Sequence, residues 1–143
     1  MAVHLNDGRR LSAYGVVTWN AGGLNRVNGV AGSQRGDWLL RQWTEDRSLG
    51  VMAIQETHCK NDGDLCDGVR DLRARLTVIH SPAVDGDAWA GVMLVLTHDW
   101  EVIESVIGVP GRVMSVRVKC RLTGECLNFV VVYGKTGGGD GGA

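Results

Sequence analysis

Two segments of the sequence end on residues that could handle a cation and a phosphate. TWN (18–20) closes an apolar run on Asn20, and AIQETH (53–58) closes another on Glu56, with Gln55 before it and His58 just beyond. Open α/β sheets bind ligands at the C-terminal ends of their strands. A carboxylate beside a carboxamide offers hard oxygen donors, which suit Mg2+ better than zinc. The residues alone leave a second reading open, in which Asn20 caps a turn and Glu56 is a solvated strand end. A third segment, FVVVY (129–133), delivers Tyr133 and then Gly134-Lys135-Thr136. A Walker A loop needs a glycine five residues before the Gly of its Gly-Lys-Thr, and Phe129 stands there, so this is read as a chance match. Asp62-Gly63-Asp64 and Asp85-Gly86-Asp87 lack the 12-residue calcium-loop pattern that ends in glutamate, and read as turns.

These residues need strands and helices to hold them. YGVVTWN (14–20) and GVMAIQE (50–56) are apolar runs that read as buried strands. Between them, 34–46 is helical in spacing. Leu39, Leu40 and Trp43 share one face, and Asp37, Arg41 and Glu45 step along the other. Strand, helix and strand in ~40 residues is the grammar of a sheet covered on its faces. A second helix is expected over 64–75, with Leu65, Val69, Leu72 and Leu76 on one stripe. Asp62 and Asp64 would favour its N-terminus, and Arg70, Arg73 and Arg75 its C-terminus. Strands then follow without helices at 76–80, 89–97, 100–107, 111–120 and 125–133, an antiparallel meander. Met114, Val116, Val118 and Cys120 alternate with Ser115, Arg117 and Lys119, so that strand has one wet face. Val130, Val131 and Val132 run together, which predicts a central last strand covered on both faces. Arg112, at the start of 111–120, reads as an exposed strand charge as readily as a substrate contact.

The whole chain bounds the choice. Its 143 residues, 44% hydrophobic, suffice for one domain, with a polar extension at 1–13, a body at 14–134 and a glycine-rich tail at 135–143. A net charge of -1 gives no footprint of a protein held by phosphate backbones alone, so any nucleic-acid contact must be local. Cys59, Cys66, Cys120 and Cys126 fit neither zinc-knuckle spacing nor a disulfide scaffold and read as buried thiols. No signal peptide is recognisable, and no apolar run nears the ~20 residues of a membrane span. A nuclear or cytoplasmic protein with no membrane contact is expected.

TWNAGGLN, MAIQETH, WAGVMLVL, GRVMSVRV and NFVVVYG, in this order, resemble the first half of the endonuclease/exonuclease/phosphatase superfamily, especially the apurinic-type endonuclease domains of LINE retrotransposons. The resemblance covers about residues 14 to 134. It implies an α/β fold, half of a four-layer sandwich: a mixed sheet with helices on one face and a second sheet against the other. It implies a Mg2+-dependent DNA endonuclease (Mn2+ being the other candidate cation), with Glu56 as metal ligand and Asn20 supporting the metal and phosphate. Tyr133 would face the scissile phosphate, with Gln55, His58 and Arg112 as support or substrate contacts.

Two departures qualify the match. Gly22 stands where the family has Asp or Asn, and Tyr133-Gly134-Lys135-Thr136 replaces its Tyr-x-Pro-Asn. The family's Asp-x-Asn and terminal Asp-His pair have no counterpart in these residues, so a truncated domain, inactive alone, is expected. The alternatives are an interaction module using an exposed sheet face, a half-enzyme completed by a second chain, or a nucleotide binder resting on Lys135. The half-sandwich reading leaves a large apolar patch exposed, and so predicts a chain that is oligomeric, partner-bound or poorly soluble.

Overall fold

Val92–Leu96 is buried along its whole length, because its alternate side chains serve two different cores. Val92, Leu94 and Leu96 enter one, and Met93 and Val95 the other. The structure is a computed structural model, and it describes residues 3–4, 10–11, 15–28, 33–45, 49–65 and 67–134. Most of the polar extension, the glycine-rich tail with Lys135 and Thr136, and Cys66 lie outside the described residues.

Gly15–Asn20 (β1) leads through a loop and a two-residue ribbon to the helix Arg35–Glu45 (α1), which returns to Leu49–Gln55 (β2), parallel to β1. Asn61 caps a short 3-10 turn, Asp62–Asp64, by accepting from the Asp64 amide at 3.0 Å. The second helix starts only at Asp67, running Asp67–Arg73 (α2). Asp62 and Asp64 therefore belong to the preceding turn, not to the N-terminus of the expected longer helix. Arg70 donates to the carbonyls of Leu65 and Gly63 at 2.8 and 2.7 Å, and Arg73 pairs with Asp62 at 3.0 Å. Those arginines tie the turn to the helix, beyond favouring its dipole.

Thr77–Ser81 (β3) and Val92–Leu96 (β4) complete a four-stranded mixed sheet in the order β1-β2-β4-β3. Both helices lie on one face, where Leu39, Val69 and Leu72 pack with Met52, Ile54, Met93 and Val95. Trp100–Val109 (β5), Val113–Cys120 (β6) and Cys126–Val132 (β7) form a separate antiparallel sheet in the order β7-β6-β5. Its inner side chains, Met114, Val116, Val118 and Cys120, pack on Val51, Val92, Leu94 and Leu96. The alternation read in 113–120 thus has its inner half buried against the first sheet. The fold is α/β: helices, mixed sheet, then antiparallel sheet.

Two expectations change. The chain supplies its own second sheet, so the inner faces cover one another. β7 is an edge strand, paired within this sheet to β6, with Val130 60% and Val132 53% exposed. The three valines were apolar on both faces, but burial reaches only the inner one, at Val131. The exposed apolar surface expected on an inner face lies instead on the outer face of this sheet. There the rows Val132, Val113, Val109 and Val130, Ser115, Val106 run across the strands. Of the cysteines, Cys59 and Cys120 are buried as expected, whereas Cys126 is exposed on the edge strand. Among the described residues no helix is long and apolar enough to cross a membrane.

Candidate functional site

β1 and β2 run parallel with Asn20 opposite Gln55, so the loops that leave both strands emerge side by side. Asn20 donates Nδ2 to Glu56 Oε1 at 3.0 Å and accepts the Gly22 amide on its Oδ1, also at 3.0 Å. The turn-capping role and the carboxylate-supporting role of Asn20 are therefore filled together. Gln55 turns sideways to Thr18, donating Nε2 to its hydroxyl at 2.9 Å. It stiffens the strand pair and does not enter the Glu56 cluster.

Glu56 and His58 both have left-handed backbones, φ 56° and 55°, a conformation that bulky non-glycine residues adopt at an energetic cost. Hydrogen bonds on two sides enforce it. Gly23 N and Leu24 N donate to the carbonyls of Glu56 and Thr57 at 2.8 and 3.0 Å, while Thr57 N and His58 N donate to Gly91 and Ala90, both at 3.0 Å. The effect is to turn the Glu56 carboxylate out of the strand line toward Asn20. His58 Nε2 lies 3.4 Å from Glu56 Oε2 and makes no hydrogen bond.

Tyr133 arrives from the end of β7, on the other sheet. Its acidity is depressed: burial, the Glu56 charge and hydrogen bonding toward Glu56 raise the phenol above its usual 10.0, against the opposing charge of Arg112. Arg112 stacks its guanidinium 5.1 Å from the Tyr133 ring centre and forms a doubled ion pair with Asp87, Nε at 2.6 Å and Nη2 at 2.5 Å. Its side chain is only 18% exposed, which corrects the reading of an exposed strand charge. Its partner comes from the Asp85-Gly86-Asp87 turn, which presents Asp87 to Arg112. Tyr133 N also donates to Arg112 O at 2.7 Å, so the two residues are locked together.

Arg35 was missed in the sequence. It opens α1 and donates Nη1 to the carbonyls of Ala21 and Gly22. Gly22 has φ +55°, and a Cβ there would stand 2.5 Å from that Nη1. A guanidinium thus occupies the space beside a position where Asp or Asn was expected. Next to Glu56, a cleft of about 330 Å3 opens between the 22–26 loop, His58 and Trp89. Trp89, also missed, is 68% exposed and meets the His58 ring edge-on at 5.0 Å.

Among the described residues no three His, Cys, Asp or Glu side chains converge as a metal cage. Glu56 offers one carboxylate, and the Asn20 amide nitrogen is turned toward it. That donor set fits a cation that keeps several waters and completes its shell with phosphate oxygens, as Mg2+ does. It does not fit zinc.

No protein-family model matches the sequence, and no curated protein matches it. The fold does match solved structures. AP endonuclease LMAP from Leishmania major superposes with a TM-score of 0.54 at 16% identity, over 84% of this chain and 40% of that one. The catalytic domain of Xenopus laevis APE2 superposes with a TM-score of 0.52 at 15% identity, over 82% of this chain and 44% of that one. The chain therefore has an AP-endonuclease-type α/β fold and spans less than half the length of these two structures.

Proposed function

We propose that the chain carries the metal- and phosphate-binding side of a Mg2+-dependent DNA phosphodiesterase site of the LINE-retrotransposon endonuclease type. The observation that carries this reading is the meeting of Asn20, Glu56 and Tyr133, from three strand ends on two sheets, around one carboxylate. Glu56 would hold the cation, which when bound polarises phosphoryl oxygens. The Asn20 amide fixes the carboxylate rotamer. The Tyr133 hydroxyl, its ring stacked against Arg112, would turn from Glu56 to donate to a phosphate oxygen. Arg112, neutralised by Asp87, serves Tyr133 before it serves substrate. The exposed Trp89 ring and Arg26 give the adjacent cleft an aromatic face and a cation, a pairing that suits a nucleic-acid strand.

Hydrolysis also needs a base that activates water, and among the described residues no group of three His, Cys, Asp or Glu side chains forms around Glu56. We read these 143 residues as the N-terminal half of such a domain, inactive by themselves and requiring a second segment or chain to complete the site. The test is conversion of supercoiled or abasic-site plasmid to open circle in Mg2+ or Mn2+, with Glu56→Gln as control. No nicking is expected from the chain alone. Metal-dependent nicking that disappears in Glu56→Gln would show that the site is already complete.

A second reading has its own observation. Val106, Val109, Val130 and Val132 are each 47% to 60% exposed on one sheet face, which favours association through that face. The two readings are compatible, since that face belongs to the sheet that carries Tyr133.

A further inference from the structure

Thr57, between the two left-handed residues, carries a fully buried hydroxyl side chain that the proposed chemistry does not use. Its Oγ1 lies 3.0 Å from His80 Nε2, and His80 Nδ1 lies 3.0 Å from Asp62 Oδ1. The His80 side chain is 1% exposed, and Arg73 Nη2 holds the same Asp62 oxygen at 3.0 Å.

The proton positions follow from the partners. Asp62 only accepts, so His80 Nδ1 carries the hydrogen and Nε2 is left as acceptor for the Thr57 hydroxyl. Thr57 Oγ1 in turn accepts the Cys59 amide at 3.4 Å. Both ring nitrogens of His80 and the Thr57 hydroxyl are then satisfied with a neutral imidazole. A Cβ on Gly91 would stand 2.0 Å from Thr57 Oγ1, so the bare glycine leaves the space this hydroxyl occupies.

A valine at 57 would fill the same volume without needing the two polar partners of the hydroxyl, His80 Nε2 and the Cys59 amide. A buried hydroxyl tied through an imidazole to a carboxylate fixes direction, whereas apolar packing fixes only volume. The residue it fixes sits between Glu56 and His58. We propose that Thr57, His80 and Asp62 are positioning residues that hold the strained 56–58 turn and so aim the Glu56 carboxylate at its cation. This rests on the reading of Glu56 as a metal ligand.

The test uses the full chain and Mn2+ alone, with free Mn2+ followed by electron paramagnetic resonance. Thermal melts and the 15N tautomer pattern of His80 are recorded beside it. Wild type should bind Mn2+ weakly, and Glu56→Gln should lose that binding. Thr57→Val, which leaves His80 Nε2 and the Cys59 amide unpaired, should fold with a lowered melting temperature and weaken Mn2+ binding about 10-fold or more, the usual effect of removing a supporting hydrogen-bond partner. Thr57→Ser should restore it. Asp62→Ala, at a side chain 56% exposed, should weaken binding in the same direction and shift His80 from its Nδ1–H tautomer. If Thr57→Val does not fold, Asp62→Ala and Thr57→Ser decide. Wild-type Mn2+ affinity in a folded Thr57→Val, or in Asp62→Ala with the tautomer changed, overturns the relay while leaving Glu56 as ligand. Mn2+ binding that is absent in wild type, or unchanged in Glu56→Gln, overturns the metal reading and the relay with it.

Discussion

Asn20 and Glu56, 36 residues apart in sequence, meet through an Nδ2 to Oε1 hydrogen bond of 3.0 Å at the ends of two parallel strands. The amide holds the carboxylate without competing for its charge. Asn20→Asp replaces it with a second anion in the same place. Without metal, two carboxylates so close repel, and the folded state should lose about 1 to 2 kcal/mol near neutral pH. With Mn2+ the added oxygen is a ligand, and affinity should rise about 10-fold. Melts and titrations of the variant with and without Mn2+ check both signs. A variant that is unaltered in both would mean the two side chains do not face one cation.

Gly91 tests the packing behind the site. Its φ is +108° and its missing Cβ makes room for Thr57 Oγ1. Gly91→Ala should cost roughly 2 to 4 kcal/mol, combining backbone strain and overpacking. Thermal unfolding measures this. A change within about 0.5 kcal/mol, the range of ordinary surface substitutions, would contradict the close approach.

The acid limb of stability should report His80 and Asp62. Burial holds His80 below its ordinary 6.5, and the Arg73 charge adds to this, against the raising influence of Asp62. Burial pushes Asp62 upward, but hydrogen bonds and charge from His80 and Arg73 outweigh it and leave the carboxyl below 3.8. In both groups the unfolded chain binds more protons, so each contributes stability that rises with pH and is lost on acidification. The His80 part is fully present above about 6.5 and lost below it, toward the folded value. The Asp62 part is present above about 3.8 and lost as pH drops through its folded value. Melting temperature should therefore decline from about pH 6.5 downward, and His80→Gln should flatten the first part of that decline. A wild-type melting temperature that holds steady from pH 7 to 5 would contradict the buried neutral imidazole.

Much of the fold was legible because its signals are local. The apolar runs ending on Asn20 and Glu56, the helical spacing of Leu39 and Trp43, and the alternation from Met114 to Cys120 each reflect one element's own faces. What was not legible depends on which element lies opposite. Val130 and Val132 are as apolar as Val131, and nothing local in FVVVY says that β7 stands at a sheet edge. The strand ends gave Asn20, Glu56 and Tyr133 as candidates. Asp87, Arg35 and Trp89 came from turns and a helix start, where sequence spacing carries no information about a partner 25 residues away, as with Asp87 and Arg112. Thr57 and His80 looked like ordinary strand and loop residues until the fold brought them together.

The outer face of the β5–β7 sheet should govern behaviour in solution. Val130 and Val106 lie in one cross-strand row around Ser115, exposed by 60% and 50%. The wild-type chain should self-associate or bind hydrophobic dye, and the paired change Val106→Lys with Val130→Lys should make it more monomeric without unfolding it. Size-exclusion chromatography with light scattering decides. A dye-silent wild-type monomer would remove this face from the account.

The most direct test of the central claim, that Glu56 anchors a divalent-cation site, is paramagnetic broadening of the 15N-labelled chain by substoichiometric Mn2+. Amides of 20–23, 56–58 and 133 should broaden first in wild type and stay sharp in Glu56→Gln. Broadening centred on another acidic stretch, such as Asp62–Asp64 or Glu101 and Glu104, or broadening at 56–58 that survives Glu56→Gln, would contradict it.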